Sequence, residues 1–423
     1  MALSHPRRVA MISLHTSPLA TPGVGDAGGL NVYVAELSRR LGERGLKVDV
    51  YTRAETDGPE VVEINEHTRV VHLRVGPTEP VAKEVLPDLV EEFAGRMGPM
   101  IGGYDLVHSH YWLSGLAGLA LKQRHGIPLV HTMHTMARVK NAALHGDQQA
   151  EPDVRDRGEA AIVAAADALT ANTRDEATEL IELYGADREQ IVVVPPGVDL
   201  HTFHPCDQPR SRAQLGVRQN AQVILFVGRV QPLKAPDVLI RAVADLVRTD
   251  PARRERLQLI IIGSPSGPEA GWSRSLPTLA AELGVDDLVD FRPHSVRSEL
   301  FRWYCASDLV GVPSHNESFG LVALEAQACA RPVVATDVGG LRHAVDDGQT
   351  GVLVAGHAPE DWAKAIASVL DDPAEALRLG INAAIHASSF SWDNTAAATL
   401  GAYHHALGPG PDPLVRPPDR GRW

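Results

Sequence analysis

Hydrophobic and polar positions along the chain follow two alternating patterns. Short runs rich in Val, Ile and Leu are separated by longer segments in which apolar residues recur every three or four positions. The short runs predict strands and the longer segments predict helices. Because the strand runs are continuously apolar, they indicate a parallel sheet that helices cover on both faces. The pattern therefore predicts an α/β protein.

The strand runs fall into two sets that a Pro- and Gly-rich stretch separates. The first set is RVAMISL, KVDVYT, VVHLRV, YDLVHSH, PLVHTMH, ALTAN and QIVVVPP. The second set is AQVILFVGRV, LQLIIIG, LVDFRP, DLVGVPS, RPVVATDVGG and GVLVAG. The stretch PPGVDLHTFHP lies between them. We expect two doubly wound, Rossmann-like domains, 1–199 and 200–390, and a disordered Pro-rich tail over 408–423.

Composition narrows the class of protein. A chain of 423 residues is too long for one compact core, which agrees with two domains. A net charge of −13 argues against binding to nucleic acids or anionic membranes. The three cysteines are widely spaced and predict neither a disulfide framework nor a zinc site. With no signal peptide or membrane-spanning run in the sequence, we expect a cytoplasmic protein.

The stretch TPGVGDAGGLNVYV contains the pattern G-x-G-x-x-G of dinucleotide-binding proteins. In those proteins the first glycine directly follows the first strand. Here LHTSPLATP separates the strand from Gly23, and the acidic Asp49 lies inside the next strand rather than at its end. Both facts count against NAD. A plain surface loop and an anion site at the start of a helix stay open, and the bare backbone amides favour the anion site.

The second half carries four motifs that point to one chemistry. FVGRVQPLK places Arg229 and Lys234 after a strand, and HNESFGLVALEA places Glu317 and Glu325 eight residues apart. RPVVATDVGG and DGQTGVLV follow. This series resembles the retaining glycosyltransferases of family 4, which have the GT-B fold with an inter-domain cleft and use nucleotide sugars. In that fold the last helix, here 391–407, crosses back to the N-terminal domain.

The resemblance implies roles in binding a UDP-sugar donor. Arg229 and Lys234 would meet the two phosphates of the leaving group, since no metal is expected to do so. Glu325 would accept a hydrogen bond from a ribose hydroxyl, and Glu317 would hold a hydroxyl of the donor sugar. The donor-binding positions implied are Thr21, Pro22, Gly29, Arg229, Lys234, Ser295, Glu317, Phe319, Gly320, Leu321 and Glu325.

The first half resembles one branch of the family more closely. SPLATPGVGDAGGLNVYV, HSHYWLSG, HTMHTMARVKN and EPDVRDRGE are similar to transferases that join N-acetylglucosamine from UDP-GlcNAc to 1D-myo-inositol 3-phosphate in mycothiol biosynthesis. The acceptor-binding positions implied are His15, Asp26, Ala27, Gly28, Gly29, Leu30, Asn31, Lys83, Tyr111, Thr135 and Arg155. Of these, Lys83, Tyr111, Thr135 and Arg155 would form a cage around the acceptor phosphate.

His134 matches the family histidine beside the reacting sugar, although a buried structural histidine is the alternative. With Arg229, Lys234 and Glu317 it completes the implied catalytic set. His108, His110 and His131 are expected to be structural. Retention at the anomeric carbon, with no carboxylate placed as a nucleophile, favours front-face substitution assembled by domain closure.

No cofactor is expected for the chemistry, but some relatives are described with a peripheral magnesium. The resemblance implies a structural site for it at Tyr304, Cys305, Ser307 and Arg331. The chain departs from its relatives at Thr21, where Gln is usual, at His294 in PHS, where Pro-Pro is common, and at Ala330–Arg331, where Gly-Thr is usual. The first lies near the donor and the last near the expected ion.

Three other functions remain as alternatives. They are another family 4 transferase, such as a phosphatidylinositol mannosyltransferase or a sucrose-phosphate-type enzyme, a nucleotide-sugar epimerase, and an inactive sugar-binding module. A lipid acceptor would favour a basic amphipathic surface helix, which the sequence does not show. An inactive module would lack part of the charged set. The expected partners are small-molecule substrates, and the sequence does not decide between a monomer and a homodimer.

Overall fold

The computed structural model describes residues 6–21, 27–142, 150–265 and 270–408. The chain divides into two compact units. The first unit combines Met1–Pro18, Val34–Val194 and Ala396–Trp423, and the second combines Leu19–Tyr33 and Pro195–Thr395. The expected boundary near residue 200 lies close to this division. The expected disordered tail lies, from residue 409 onward, outside the described residues.

Strands and helices alternate along most of the chain. The strands are β1 (Arg8–Ile12), β2 (Lys47–Arg53), β3 (Val61–Asn65), β4 (Thr68–Leu73), β5 (Leu106–His110), β6 (Leu129–Thr132), β7 (Ala168–Ala171), β8 (Ile191–Val193), β9 (Gln222–Val227), β10 (Leu257–Ile262), β11 (Val289–Arg292), β12 (Leu309–Val312), β13 (Val333–Thr336) and β14 (Gly351–Val354). The helices are α1 (Gly29–Glu43), α2 (Leu86–Met97), α3 (Trp112–His125), α4 (Ala137–Ala142), α5 (Asp153–Ala165), α6 (Arg174–Tyr184), α7 (Gln208–Leu215), α8 (Pro236–Thr249), α9 (Ala270–Ser273), α10 (Leu276–Glu282), α11 (Arg297–Ala306), α12 (Leu321–Ala328), α13 (Leu341–Ala344), α14 (Pro359–Leu370), α15 (Pro373–Ser388) and α16 (Trp392–Leu407).

The sheet of the first unit has the order β3-β4-β2-β1-β5-β6-β7-β8. Its strands pair in parallel except β3, which runs antiparallel to β4 at the edge. The sequence analysis did not predict β3, because its residues are exposed or half-buried and give no apolar run. The central β1 is buried over its last four residues, as its continuous apolar run requires.

The sheet of the second unit has the order β11-β10-β9-β12-β13-β14, and all its pairs are parallel. Helices α8 and α14 pack together on one face, where Trp362 is fully buried. A second apolar cluster contains Phe203, Trp303 and Tyr304. The α/β prediction with two mostly parallel sheets is confirmed.

Both sheets reverse their strand order at one point, which lies between β1 and β5 in the first unit and between β9 and β12 in the second. In open α/β sheets, ligands bind beyond the carboxyl ends of the strands at this switch point. His15 and Tyr111 follow β1 and β5, while Arg229 and Glu317 follow β9 and β12. The topology therefore brings predicted site residues to the favoured edge of each sheet.

A disulfide joins Cys206 and Cys305, which are 99 residues apart in sequence. The expectation that the cysteines form no disulfide was therefore wrong for these two. Spacing along the chain gave no signal, because the pair is brought together by the packing of α7 against α11. Cys329 is buried and has a free thiol.

No helix among the described residues is both long enough and apolar enough to cross a membrane.

Candidate active site

Four of the predicted acceptor residues meet at the carboxyl edge of the first unit's sheet. Arg155, on α5, donates from Nη2 to the Thr135 hydroxyl at 2.9 Å and to the Thr135 carbonyl at 3.1 Å. Its guanidinium lies 5.0 Å from the centre of the Tyr111 ring. The Tyr111 ring lies 4.5 Å from the ring of His15, centre to centre. Together they present a guanidinium, two hydroxyls and an imidazole.

Two glutamates hold the Arg155 guanidinium in place. Its Nε donates to Glu159 at 2.7 Å, and its Nη1 lies 2.9 Å from a carboxylate oxygen of Glu151. Glu159 is fully buried and also accepts from the Tyr184 hydroxyl at 2.5 Å. The charge of Arg155 is therefore compensated within the unit. The sequence analysis missed both glutamates, although each stands four residues from Arg155 on the stretch EPDVRDRGE.

Lys83, the second cation of the predicted cage, lies in the exposed segment between β4 and α2. Its carbonyl accepts from the Leu86 amide at the start of α2, at 3.3 Å. Its contact with an acceptor phosphate stays a prediction.

Tyr111 and His134 have backbone conformations that non-glycine residues rarely adopt. Their φ angles are 73° and 61°, and they follow β5 and β6. Each such conformation costs about 1–3 kcal/mol and is concentrated at functional sites. This observation supports a functional interpretation of His134 over a purely structural one. Sequence patterns gave no sign of this strain.

The imidazole of His134 is neutral at ordinary pH. Burial lowers the pKa of His134 to about 3, with smaller contributions from His131 and His15. Its Nε2 lies 3.0 Å from Nδ1 of His110, so the two rings share one hydrogen bond. A neutral ring of this kind can donate a hydrogen bond to a sugar hydroxyl or accept one from it, but it does not supply a positive charge.

The other histidines of this cluster bond to neighbours inside the first unit. His108 shares hydrogen bonds with the Tyr403 hydroxyl and the Thr132 hydroxyl, each at 2.9 Å. His131 shares one with the Ser109 hydroxyl at 2.8 Å. Burial lowers the pKa of all three, His108, His110 and His131. These contacts agree with the structural role expected for them.

In the second unit the glycine segment approaches a predicted phosphate-binding arginine. A Cβ atom built on Gly28 would lie 3.9 Å from Nε of Arg229, and one on Gly29 would lie 3.5 Å from the side chain of Leu321. The Gly28 amide donates to the Asn31 side chain at 2.8 Å, which stabilises the first turn of α1. The segment thus lies beside Arg229 and the start of α12. Of the predicted residues nearby, Thr21, Ala27 and Leu30 are described, whereas Pro22 and Asp26 lie outside the described residues.

Lys234 and Glu317 form an ion pair. Lys234 ends a short turn before α8, and Glu317 lies in the loop between β12 and α12. The Gly340 amide supports this loop by donating to the Glu317 carbonyl at 2.8 Å. A Cβ on Gly340 would lie only 2.3 Å from Cα of Phe319, which explains the second glycine of the DVGG motif. The loop is thus fixed by backbone packing that only glycine allows.

Helix α12 begins where the loop ends, directly after Gly320, whose φ is 102°. The first amides of α12 have no partner within the helix, so its N-terminus favours an anion. Glu325, one turn further, accepts from the Tyr304 hydroxyl at 2.8 Å. Burial raises the pKa of Glu325, while Arg297 and the Tyr304 hydroxyl act to lower it. Ser295 is buried in the loop that precedes α11.

Comparison with known families accounts for both halves of the chain. Residues 27–202 match the model of Glycosyltransferase Family 4, and residues 207–386 match that of Glycosyl transferases group 1. The chain is a family 4 glycosyltransferase.

Relatives narrow the branch of this glycosyltransferase family. The chain is 52% identical over 416 residues to a protein named D-inositol 3-phosphate glycosyltransferase from Kineococcus radiotolerans, covering 95% of this chain and 96% of that one. It is 52% identical over 406 residues to the protein of the same name from Kribbella flavida, with 95% and 96% coverage. The resemblance predicted from the motifs is therefore confirmed.

Solved structures give the same fold. Sucrose-phosphate synthase from Thermosynechococcus elongatus has a TM-score of 0.85 and 32% identity, covering 94% of this chain and 98% of that one. The Anabaena protein HepE, at 21% identity and a TM-score of 0.75, shares the fold, with coverage of 94% and 100%.

The residues implied as a magnesium site in this glycosyltransferase are already bonded to other groups. Magnesium takes oxygen ligands. The Tyr304 carbonyl accepts from the Ser307 hydroxyl at 2.8 Å, and the Ser307 carbonyl accepts from Gln208 at 2.8 Å and from Arg331 at 3.3 Å. Arg212 occupies the neighbouring Ala306 carbonyl at 2.9 Å. Two guanidinium groups at this helix end would repel a divalent cation. The set therefore does not fit a magnesium ion.

The departure at Ala330 has a visible cost. Its φ is 58°, a conformation that glycine adopts more readily than alanine. The following Arg331 donates to the end of α11, where a positive charge complements the helix dipole.

Proposed function

We propose that this glycosyltransferase transfers N-acetylglucosamine from UDP-GlcNAc to 1D-myo-inositol 3-phosphate with retention, giving UDP and the glycosylated inositol phosphate of mycothiol biosynthesis. Relatives that share about half of its residues are named for transfer to D-inositol 3-phosphate. The donor is inferred from the motifs of the second half.

The observation that carries the acceptor assignment is the Arg155 cluster. Arg155 lies over the Tyr111 ring and bonds Thr135, so a guanidinium and two hydroxyls lie within one small region. These groups are suited to a phosphate monoester, since a guanidinium charge and hydroxyl donors both favour phosphate oxygens. Glu151 and Glu159 keep the guanidinium oriented when no ligand is bound. Lys83 would supply the second cation.

The donor diphosphate would be held by fixed charges rather than by a metal. Arg229 follows β9 at the switch point of the second sheet, and Lys234 lies further along the same connection, just before α8. The N-terminus of α12 adds backbone amides that favour negative charge. Glu317, paired with Lys234, would orient that amine and accept a hydrogen bond from a hydroxyl of the transferred sugar. We propose that no cofactor is needed.

The reaction would proceed by front-face substitution. The bond between the anomeric carbon and the diphosphate oxygen breaks as the acceptor hydroxyl attacks from the same face, and the departing phosphate takes the hydroxyl proton. Arg229 and Lys234 stabilise the charge that develops on the diphosphate, which is the usual main contribution of such a site. The neutral imidazole of His134 would exchange a hydrogen bond with the sugar. Positioning and electrostatics then supply most of the rate enhancement.

A sucrose-phosphate-type reaction is the second candidate. The likeness to sucrose-phosphate synthase at a TM-score of 0.85 supports it, and a phosphorylated sugar as acceptor would also suit the Arg155 cluster. The higher identity to the inositol phosphate enzymes favours the first proposal.

Acceptor competition tests the proposal. UDP release from UDP-GlcNAc is measured with inositol 3-phosphate, with myo-inositol, with fructose 6-phosphate and with no acceptor. Inositol 3-phosphate should exceed myo-inositol in kcat/KM by roughly three orders of magnitude, from two charge-assisted bonds of ~1.5–3 kcal/mol each. Equal rates with both would refute the phosphate cage. A preference for fructose 6-phosphate would establish the second candidate.

Two variants then test the residues. Lys83→Ala should reduce the preference for the phosphorylated acceptor at least tenfold. The matched control is Lys47→Ala, since Lys47 is also exposed but begins β2 and so lies at the edge of the sheet opposite the site. Arg155→Lys keeps a charge beside Glu159 but loses the guanidinium that bonds Thr135 and lies over the Tyr111 ring, so it should also reduce that preference. If the preference survives both changes, the acceptor is right and the residue assignment is not.

A further inference from the structure

Helix α11 places the hydroxyl of Tyr304 against Glu325 of α12. The Tyr304 hydroxyl donates to Oε2 of Glu325 at 2.8 Å. The charge of Arg297, at the start of the same helix, also favours the ionised form of that carboxylate. Arg297 and Tyr304 are seven residues apart, which places them on one face of the helix two turns apart.

The Tyr304 ring is fixed by its surroundings. It is fully buried, and its centre lies 5.6 Å from the centre of the Phe203 ring in an edge-to-face arrangement. The next residue, Cys305, is tied to Cys206 by the disulfide. Arg212 and Gln208 of α7 also bond the carbonyls at the end of α11. The hydroxyl therefore projects from a rigid support.

A partly buried glutamate needs such an anchor to work as a hydrogen-bond acceptor. Its side chain has three rotatable bonds, and burial favours the neutral carboxylic acid. A donor fixed on Oε2 restricts the rotamer and favours the ionised form, which leaves Oε1 and the remaining lone pairs to accept from a ligand.

We propose that Tyr304 is a positioning residue for nucleotide binding, which orients the Glu325 carboxylate toward the ribose hydroxyls of the donor. The proposal rests on the assignment of Glu325 to the ribose under the proposed function. It deepens that assignment by naming the residue that prepares Glu325 before the nucleotide arrives.

The test compares two ligands, UDP and 2′,3′-dideoxy-UDP, by calorimetry in the wild type, Tyr304→Phe and Glu325→Gln. The dideoxy ligand lacks both ribose hydroxyls from which Glu325 would accept hydrogen bonds. Tyr304→Phe keeps the ring against Phe203 and removes only the hydroxyl. It should weaken UDP binding by about tenfold, the scale of a hydrogen bond to a charged group, and change dideoxy-UDP binding by less than about threefold. Glu325→Gln should remove most of the preference for UDP.

The matched control is Tyr104→Phe, which removes a hydroxyl that donates to the Asp49 carboxylate in the other unit. It should leave the binding of both nucleotides unchanged. If Tyr304→Phe weakens both ligands equally, the residue is merely structural and the proposal fails. If the wild type and Glu325→Gln show the same preference for UDP, the ribose assignment itself fails. If Glu325→Gln loses that preference and Tyr304→Phe keeps it, only the positioning role is overturned.

Discussion

The two units use the same kind of sheet edge for different chemistry. In the first unit the switch point is surrounded by buried neutral imidazoles and by Arg155, whose charge two glutamates compensate. In the second unit it is surrounded by Arg229, the Lys234–Glu317 pair and the start of α12. Both edges follow parallel strands, so the loops and not the sheets set the difference.

The difference matches the demands of the two proposed ligands. An acceptor must be recognised without being trapped, so a compensated arginine and hydrogen-bonding rings suffice. A diphosphate gains negative charge as it leaves, and charges that are fixed before the reaction stabilise it most. We infer that charge at the second edge serves catalysis and that geometry at the first edge serves selection.

Strain follows the same division. Tyr111 and His134, with positive φ angles, stand at the recognition edge of the first unit. In the second unit, Ala235 has a φ of 48° directly after Lys234, at the start of α8. Three of the four described non-glycine residues with positive φ thus lie at or beside residues that the proposals assign to ligands, whereas the fourth, Ala330, follows the C-terminal end of α12.

Removing Arg229 should have the largest effect. Arg229→Ala should lower kcat/KM about 100- to 1,000-fold, because a fixed donor to developing charge is lost. Acceptor affinity, which belongs to the other unit, should change little. Steady-state kinetics with both substrates varied makes the measurement, and the exposed Arg248→Ala is the matched control. Retention of more than a tenth of the wild-type kcat/KM would remove Arg229 from the leaving-group site.

The disulfide gives the second unit a constraint for which the first has no counterpart among the described residues. Replacing Cys206 and Cys305 together by Ala should lower stability by about 2–4 kcal/mol, since the bond closes a loop of nearly 100 residues. Hydrogen exchange should report the loss in α7 and α11 and spare the sheet of the first unit. A reducing agent should destabilise the wild type and leave the double variant unchanged. An equal response of both proteins would mean that the bond contributes nothing.

Much of this fold could be predicted from the sequence, because buried parallel strands have continuous apolar sequences. The exception was β3, whose five residues are partly exposed and lie at an edge. The disulfide could not be predicted from spacing, because the packing of α7 on α11 brings the two cysteines together.

The candidate site was predicted unevenly for a physical reason. Arg229, Lys234 and Glu317 lie in short motifs whose order in the chain already implies a phosphate-binding edge. The partners of Arg155 were missed even though they stand four residues away on the same stretch. The anchor of Glu325 was beyond sequence reasoning, since Tyr304 lies on another helix. In this chain the motifs named residues that are proposed to contact ligands, but they did not name the residues that hold them in place.

The buried histidines of the first unit should make it sensitive to acid, and the effect of one can be isolated. In the unfolded chain a histidine binds a proton near pH 6.5, whereas burial lowers the pKa of folded His131 to about 3. Between these values the unfolded state binds more protons, so stability falls as the pH falls. At pH 5.5 one such residue costs about 1.4 kcal/mol relative to pH 7.5. Urea unfolding at both pH values should therefore show a loss in the free energy of unfolding that is about 1.4 kcal/mol smaller for His131→Asn than for the wild type.

The pKa of Glu176, which burial raises to about 7, makes the free energy of unfolding change with pH in the opposite direction, but it does so equally in both proteins. Val130→Ala, which also alters buried β6 but removes no titrating group, should leave the loss as it is in the wild type. Identical acid sensitivity of His131→Asn and the wild type would show that this ring does not resist protonation in the folded unit.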